Sequence, residues 1–178
     1  MLAAGERMAA YRFSGYWKDV GTIDSLWDAN MDMLAVDSGV QLFDPTWPIY
    51  ARTPTKPPHF MGSKAVVSHS MVTGGCEVYG EVENSVLFHS VRVEEGAQVK
   101  YSILMPGAVV KAGAVVEYAI VAENAVIGEG ARVGAPPEDD KPEEWGIAVV
   151  AEGIKVGDGA RIPAKSMVTR NVKSGGVR

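Results

Sequence analysis

The chain has 178 residues, with 17 basic against 22 acidic side chains and a net charge of −5. Because no Lys- or Arg-rich run accompanies this acidic balance, the composition disfavours nucleic acid and anionic membranes as partners. One cysteine, Cys76, excludes an internal disulfide framework and fits a reducing cytoplasm, where we expect the protein. No apolar run approaches the roughly 20 residues that cross a bilayer.

The first 35 residues predict two short strands and then a helix. Residues 8–13 (MAAYRF) and 16–20 (YWKDV) flank a Ser-Gly turn signal and predict the strands. We predict a helix over residues 22–35, because Thr22 suits the N-cap and Asp24 places a negative charge in the first turn. Apolar side chains at helical spacing give this helix one hydrophobic face: Ile23, Leu26, Trp27, Met31 and Leu34.

Residues 15–22, GYWKDVGT, contain the first candidate for chemistry. Two aromatic residues, a lysine and an aspartate lie between two glycines, a setting that can hold the carboxylate of Asp19 against a ligand. The remaining residues offer little obvious chemistry to accompany it. From the residues alone, Asp19 is an acidic residue at a strand end before a glycine turn, which favours a structural role over a catalytic one.

Residues 36–64 form a proline-rich connector. Each proline fixes φ and pushes the preceding residue out of the helical region, which rules out a helix or the middle of a sheet. We therefore expect an N-terminal segment, residues 1–35, and a separate C-terminal domain, residues 65–178. The prolines are Pro45, Pro48, Pro54, Pro57 and Pro58.

From residue 65 onward the sequence repeats. A small residue, a spacer and an aliphatic residue recur, and the aliphatic positions step by 6, 6 and 5, so every third one lies 17 residues further on. The pattern begins at Val72, Val78 and Val82 with a shortened coil. It continues in three aligned series: Leu87, Leu104 and Val121; Val93, Val110 and Ile127; Val99, Val116 and Val133.

Hexads grouped in threes are typical of a parallel β-helix with three short strands in each coil. One aliphatic side chain of each strand points inward, and the small residue two positions before it leaves room at the corner. Residues 134–147 (GAPPEDDKPEEWGI) interrupt the pattern, which predicts a loop extruded between coils. The repeat then resumes at Val150, Val156, Ile162 and Val168.

The outer faces of this β-helix differ in polarity. Side chains alternate along a strand, so the neighbours of each inward aliphatic residue face outward. On one face they are polar, with Glu83, Lys100 and Glu117 stacked as alternating charges. On another face they are apolar, and we expect a second domain, another subunit or residues 8–35 to cover them. These interface positions are Met71, Val86, Phe88, Ile103, Met105 and Ile120.

Three histidines suggest two alternative enzymes. An acyltransferase would use one histidine as general base, and a zinc enzyme of the carbonic anhydrase kind would need all three on one metal. His59 lies in the connector, while His69 and His89 occupy different positions in their coils and do not stack. The sequence therefore favours exposed histidines without a catalytic role. Cys76 occupies a small-residue position, which favours packing over reactivity.

Several motifs together carry a family resemblance. They are GYWKDVGT with its helix, WPI and KPPHF in the connector, VTGGCEVYGEVENSVLFHSVRV in the first coils, and EEWGIAVV after the interruption. In this combination the chain resembles the C-terminal part of bacterial glucose-1-phosphate adenylyltransferase, also called ADP-glucose pyrophosphorylase. The resemblance implies a left-handed parallel β-helix of hexapeptide repeats, used for regulation and oligomerisation. It also implies that residues 1–35 are the strand–helix remnant of an α/β nucleotidyltransferase domain.

The resemblance further implies a site. Members of the family make ADP-glucose and pyrophosphate from ATP and glucose 1-phosphate for glycogen or starch synthesis. Asp19 matches a catalytic aspartate that binds substrate and Mg²⁺ together with a second carboxylate outside this sequence, and Trp17 matches an aromatic residue at glucose 1-phosphate. Mg²⁺ would then belong to the full-length enzyme, and we expect this chain alone to be inactive. The implied partners are an N-terminal catalytic domain and the other subunits of an allosteric homo- or hetero-tetramer.

Two further classes of protein stay open. One is a free-standing hexapeptide-repeat acyltransferase, which acyl-CoA binding would reveal. The other is a noncatalytic β-helix scaffold or regulatory subunit, against which the presence of Asp19 argues mildly.

Overall fold

The computed structural model describes residues 2–35, 37–40, 42, 44–51, 54–138 and 145–177. Within these residues it contains a 3₁₀ turn (Leu2–Ala4), one α-helix, α1 (Ile23–Asp32), and short β-strands. The first nine strands are β1 (Phe60–Met61), β2 (Val66–Ser68), β3 (Met71–Val72), β4 (Glu77–Val78), β5 (Glu81–Glu83), β6 (Val86–Leu87), β7 (Arg92–Val93), β8 (Gln98–Lys100) and β9 (Ile103–Leu104). The others are β10 (Val109–Val110), β11 (Val115–Glu117), β12 (Ala119–Val121), β13 (Val126–Ile127), β14 (Arg132–Val133), β15 (Ala148–Val150), β16 (Lys155–Val156), β17 (Arg161–Ile162) and β18 (Met167–Val168).

The strands form three parallel sheets of six strands each. Every third strand joins the same sheet, so the first sheet runs from β1 to β16, the second from β2 to β17 and the third from β3 to β18. A chain that visits three sheets in rotation and pairs only with the coils before and after it is a parallel β-helix of about six turns. The predicted fold class is confirmed in this respect, while its handedness stays a prediction.

The register of the sheets matches the 17-residue repeat. Leu104 pairs with Leu87 on one side and with Val121 on the other. The same spacing aligns the Val110 series in the first sheet and the Val116 series in the second sheet. These aliphatic side chains are fully buried in one continuous core along the axis of the β-helix. Burying each one contributes about 1.5–3 kcal/mol, which explains why the repeat dictates the fold.

A column of serines lines one corner of the β-helix. The hydroxyl of Ser102 donates to the carbonyl of Lys100 at 2.7 Å and accepts from the backbone N–H of Ala119 at 3.1 Å. Ser85 repeats this arrangement one coil earlier, donating to the Glu83 carbonyl and accepting from the N–H of Ser102. The small residues at this corner therefore also satisfy buried backbone groups.

The interruption between β14 and β15 leaves the register intact. Ile120 pairs with Val149, so the third sheet continues across it, and the repeat resumes at the predicted positions. The excursion begins at Gly134, whose φ is +77° and where an added Cβ would lie 1.9 Å from the Glu117 carbonyl oxygen. Only glycine fits this close approach. Residues 139–144 of the predicted loop lie outside the described residues.

The predicted helix forms and has the predicted cap. Thr22 is the N-cap of α1, and its hydroxyl accepts from the N–H of Ser25 at 3.2 Å while the Ser25 hydroxyl accepts from the N–H of Thr22. This reciprocal pair is a capping box, and Asp24 lies in the first turn as expected. The helix ends at Asp32, three residues before the predicted end.

The two strands predicted before the helix are wrong. Residues 6–21 have no regular secondary structure. A strand is held by hydrogen bonds to a neighbour, and no described segment of this chain pairs with residues 8–13 or 16–20. Local pattern alone therefore does not make these residues a sheet.

Candidate active-site segment and its support

Residues 15–22 lie on the outside of α1, away from the β-helix core. The Trp17 side chain is 76% exposed, and Asp19 is exposed as well. One carboxylate oxygen of Asp19, Oδ1, accepts a hydrogen bond from the backbone N–H of Gly21 at 3.0 Å. This short turn fixes the carboxylate relative to the chain and leaves its second oxygen available to a ligand.

Tyr16 and Lys18, the residues immediately before Trp17 and Asp19, contact α1. Lys18 Nζ lies 2.7 Å from Asp32 Oδ2 and 3.6 Å from Asp28 Oδ2. The hydroxyl of Tyr16 donates to the same Asp32 oxygen at 3.0 Å. The hydrogen bond from Lys18 is the main reason that the pKa of Asp32 lies below its ordinary value, and the same bond raises the pKa of Lys18. Lys18 and Tyr16 therefore attach the GYWKDVGT segment to α1.

Another side of α1 packs on the β-helix. The indole N–H of Trp27 donates to the carbonyl of Tyr101 at 2.8 Å, and the Trp27 ring lies 5.9 Å from that of Tyr118. Leu26, Trp27 and Met31 contact an apolar cluster centred on three buried isoleucines, Ile103, Ile120 and Ile147. The helix thus joins the candidate segment to the third sheet.

The contact between α1 and the third sheet covers some of the six predicted interface residues and leaves others uncovered. Ile103, Ile120 and Met105 belong to the cluster that α1 covers. Val86 is also buried, whereas Met71 is half-buried and Phe88 is 37% exposed. One end of the apolar face is therefore covered from within the chain, by part of the segment that we expected as a possible cover.

The base of the interruption joins the same cluster, which sequence reasoning missed. The indole N–H of Trp145 donates to the Ala135 carbonyl at 2.8 Å and closes the base of the loop. Its ring meets Tyr118 edge-on at 5.5 Å, and Tyr118 stacks on Tyr101 with ring centres 4.8 Å apart. The two tyrosines are 17 residues apart, which is the coil period, and this spacing could have predicted that they stack in neighbouring coils.

A divalent metal fits the acidic side chain of Asp19 but not this chain alone. The described residues contain no group of three His, Cys, Asp or Glu side chains that could hold a metal ion. Asp19 can offer one carboxylate oxygen, and a cation such as Mg²⁺ needs several oxygen ligands. Any such site therefore needs ligands beyond those that the described part of the chain brings together.

The histidines do not converge. His59 and His69 are exposed, and His69 contacts the side chain of Asn84. His89 differs from the expectation, because it is half-buried and its Nδ1 atom is buried without a hydrogen-bond partner in the described structure. It lines a groove of about 600 Å³ that also includes Lys56 and Phe88.

Cys76 is a core residue, as predicted. It is 1% exposed, and its thiol donates to the Phe88 carbonyl at 3.0 Å. Burial raises the pKa of this thiol, which keeps it in the unreactive protonated form.

Among the described residues, no helix has the length and apolar character needed to span a membrane.

Two family models match different parts of the chain. A family model described as nucleotidyl transferase matches residues 1–36, and a model described as GlmU-like, C-terminal hexapeptide matches residues 56–157. The first therefore ends just after α1, and the second covers most of the β-helix and more than half of the chain.

Individual relatives share one name. The chain is 50% identical over 106 residues to the glucose-1-phosphate adenylyltransferase of Clostridium perfringens (strain SM101 / Type A), a match covering 60% of this chain and 27% of that protein. It is 48% identical over 108 residues to the proteins of the same name from Bacillus mycoides (strain KBAB4) and Bacillus cereus (strain ATCC 10987 / NRS 248), covering 61% of this chain and 29% of each. The chain thus spans under a third of the length of these curated relatives. The three parallel sheets follow the hexapeptide repeat, and the family match covers most of their strands. The chain therefore belongs to the GlmU-like C-terminal hexapeptide family.

Proposed function

We propose that this chain is the C-terminal part of a glucose-1-phosphate adenylyltransferase, a cytoplasmic nucleotidyltransferase that makes ADP-glucose and pyrophosphate from ATP and glucose 1-phosphate for glycogen synthesis. The observation that carries the proposal is the packing of α1. This helix lies near the end of the segment that matches the nucleotidyl transferase model. It packs on the third sheet of the hexapeptide β-helix through the hydrogen bond from Trp27 to Tyr101 and through the isoleucine cluster. The relatives that are about half identical to this chain are named glucose-1-phosphate adenylyltransferase.

In this proposal Asp19 and Trp17 supply one side of the active site. Asp19 contributes a carboxylate oxygen to a Mg²⁺ site whose other protein ligand comes from an upstream domain. A divalent ion, when bound, offsets repulsion between the two phosphate-bearing substrates and the charge on the departing pyrophosphate. Trp17 presents an exposed ring that can pack on the sugar of glucose 1-phosphate.

The β-helix then serves assembly and regulation. Phe88, which is exposed, and Met71, which is half-buried, offer an apolar surface for other subunits of a homo- or hetero-tetramer. The docked helix offers a physical connection through which events on the β-helix reach the active site.

The test compares this chain alone with the same chain preceded by a nucleotidyltransferase domain. We expect ADP-glucose formation only in the longer protein. There, Asp19→Asn should lower kcat by roughly a hundredfold or more, because a neutral amide is a poor Mg²⁺ ligand. Asp37→Asn, which changes another exposed aspartate, is the matched control and should leave the rate unchanged.

Two results would contradict the proposal. One is ADP-glucose synthesis by the 178-residue chain alone, and the other is full activity of the Asp19→Asn enzyme. Saturable acetyl-CoA binding by the chain would instead favour the acyltransferase alternative.

A further inference from the structure

The candidate segment is held by side chains and not by a sheet. Residues 6–21 have no strand, so backbone pairing does not fix the directions of Trp17 and Asp19. Among these residues only Lys18 is shielded from solvent, and the others are exposed. The contacts of Lys18 are therefore the main constraint on this part of the chain.

Lys18 joins two carboxylates that lie one helical turn apart. Asp28 and Asp32 are at positions i and i+4 of α1, so their side chains project from the same face of the helix. Lys18 Nζ reaches both of them, at 3.6 and 2.7 Å, and Tyr16 donates to Asp32 from two residues earlier. Tyr16 and Lys18 thus contact the helix, whereas the side chains of their neighbours Trp17 and Asp19 are exposed to solvent.

We propose that Lys18 is a positioning residue that uses Asp32 and Asp28 of α1 to direct Trp17 and Asp19 toward the substrates. This inference rests on the proposed function and adds a residue to it. Lys18 touches neither substrate nor metal in this arrangement. It acts by fixing the orientation of the residues on either side of it.

Because the contact between Lys18 and Asp32 is partly exposed, a positioning role for Lys18 can be tested without unfolding the protein. The side chains of Lys18 and Asp32 are 26% and 39% exposed, and ion pairs in such settings add little to overall stability. The β-helix core does not include them. Removing the lysine charge should therefore change where Trp17 and Asp19 point and leave the fold intact.

The first test measures order in the 178-residue chain. Lys18→Met keeps the aliphatic stem and removes the charge, and we expect the backbone ¹⁵N heteronuclear NOE of residues 16–19 to fall while that of the β-helix strands is unchanged. Lys155→Met, at an exposed lysine in β16, is the matched control. An unchanged NOE at residues 16–19 would overturn the inference whether or not the proposed function is correct.

The second test measures catalysis in the full-length protein. Lys18→Met should lower kcat/KM for glucose 1-phosphate at least tenfold, whereas Lys18→Arg, whose guanidinium can reach both carboxylates, should recover it to within about threefold of wild type. Combined with Asp32→Asn, the loss should be no greater than that of Lys18→Met alone, because both changes break one contact.

Three outcomes would overturn the positioning role: unchanged kinetics of Lys18→Met, failure of Lys18→Arg to recover activity, or additive losses in the double variant. Absence of ADP-glucose synthesis by the wild-type full-length protein would instead reject the proposed function. The NOE measurement would still decide whether Lys18 orders the segment.

Discussion

At the scale of single residues, the serine column shows how one small side chain meets two requirements of a β-helix corner. Ser102 and Ser85 are fully buried, yet each hydroxyl has a carbonyl to donate to and an N–H to accept from. An alanine fits the same space, as Ala119 does one coil later. The serines therefore differ from alanine in the backbone groups that they satisfy, and not in volume.

Ser102→Ala should destabilise the β-helix by about 1–3 kcal/mol. The substitution leaves the buried N–H of Ala119 without its partner, and an unsatisfied buried group costs about that much, whereas the Lys100 carbonyl still accepts from the N–H of Tyr118. Urea unfolding followed by circular dichroism measures the change. Ser63→Ala, at an exposed turn, should stay within about 0.5 kcal/mol. Equal midpoints for the two variants would show that the hydroxyl column contributes nothing.

Asp32 should make the docking of residues 16–18 sensitive to acid. Its pKa is lowered, chiefly by Lys18, so the stabilisation is complete above the unfolded pKa of about 3.9 and is lost as the pH falls through the lower folded value. We expect constant docking from pH 7 to about 5 and loss below about 4, measured by the NMR shifts of the Tyr16 ring, which contacts Asp32. Asp32→Asn should show no transition in this window. A transition near neutral pH would contradict the assignment to Asp32.

At the scale of elements, α1 has two functional sides. One side carries Asp28 and Asp32 toward the candidate segment, and the other carries Leu26, Trp27 and Met31 toward the β-helix. Ten residues give a helix of about 15 Å, and coils lie about 4.8 Å apart, so α1 is long enough to cross three of them. The helix holds the segment at one place along the β-helix axis.

Trp27→Ala should release α1 without unfolding the β-helix. It removes the hydrogen bond to the Tyr101 carbonyl and the ring contact with Tyr118, and we expect a docking loss of about 2 kcal/mol. Hydrogen exchange of the α1 amides should accelerate about 30-fold, while amides in the strand ladders keep their protection. Trp47→Ala, at a side chain that is 82% exposed, serves as control. Unchanged exchange in α1 would show that Trp27 does not hold the helix.

The elements also show what a sequence can and cannot predict. The inward positions were predictable, because Leu87, Leu104 and Val121 must fill one core at a fixed spacing. The cap of α1 followed from Thr22 and Asp24, since capping is local. The strands around Trp17 were predicted wrongly, because pairing depends on a neighbour that local pattern does not reveal. Trp145 was missed for a similar reason: its contact with Tyr118 crosses the interruption and has no sequence period.

At the scale of the whole molecule, the outer faces of the second and third sheets differ in what they can bind. The second sheet carries ion pairs, such as Lys100 with Glu81 at 3.1 Å, and suits solvent. The third sheet is covered by α1 near Ile103 and Ile120 and remains partly open near Phe88. Under the proposed function, the open end is the part of this face that is left for another subunit.

Phe88→Glu combined with Met105→Glu should disrupt assembly of the full-length protein. The first change places a charge on the open apolar surface, and the second places one inside the cluster under α1. We expect later elution in size-exclusion chromatography and reduced ADP-glucose synthesis. Val115→Glu, on the outward side of the charged second sheet, is the matched control. Unchanged elution together with unchanged activity would reject this face as an interface.

The preserved register around residues 134–147 has a consequence for how this protein can change in length. The chain leaves the β-helix at Gly134 and rejoins it so that Val149 still pairs with Ile120. Lengthening the excursion costs only loop-closure entropy, about 0.6 kcal/mol for each doubling. One residue added within β12 or β15 would instead turn the inward side chains that follow it in that strand to the outside. Insertions and deletions should therefore be more frequent at this corner than within the strands among related genes.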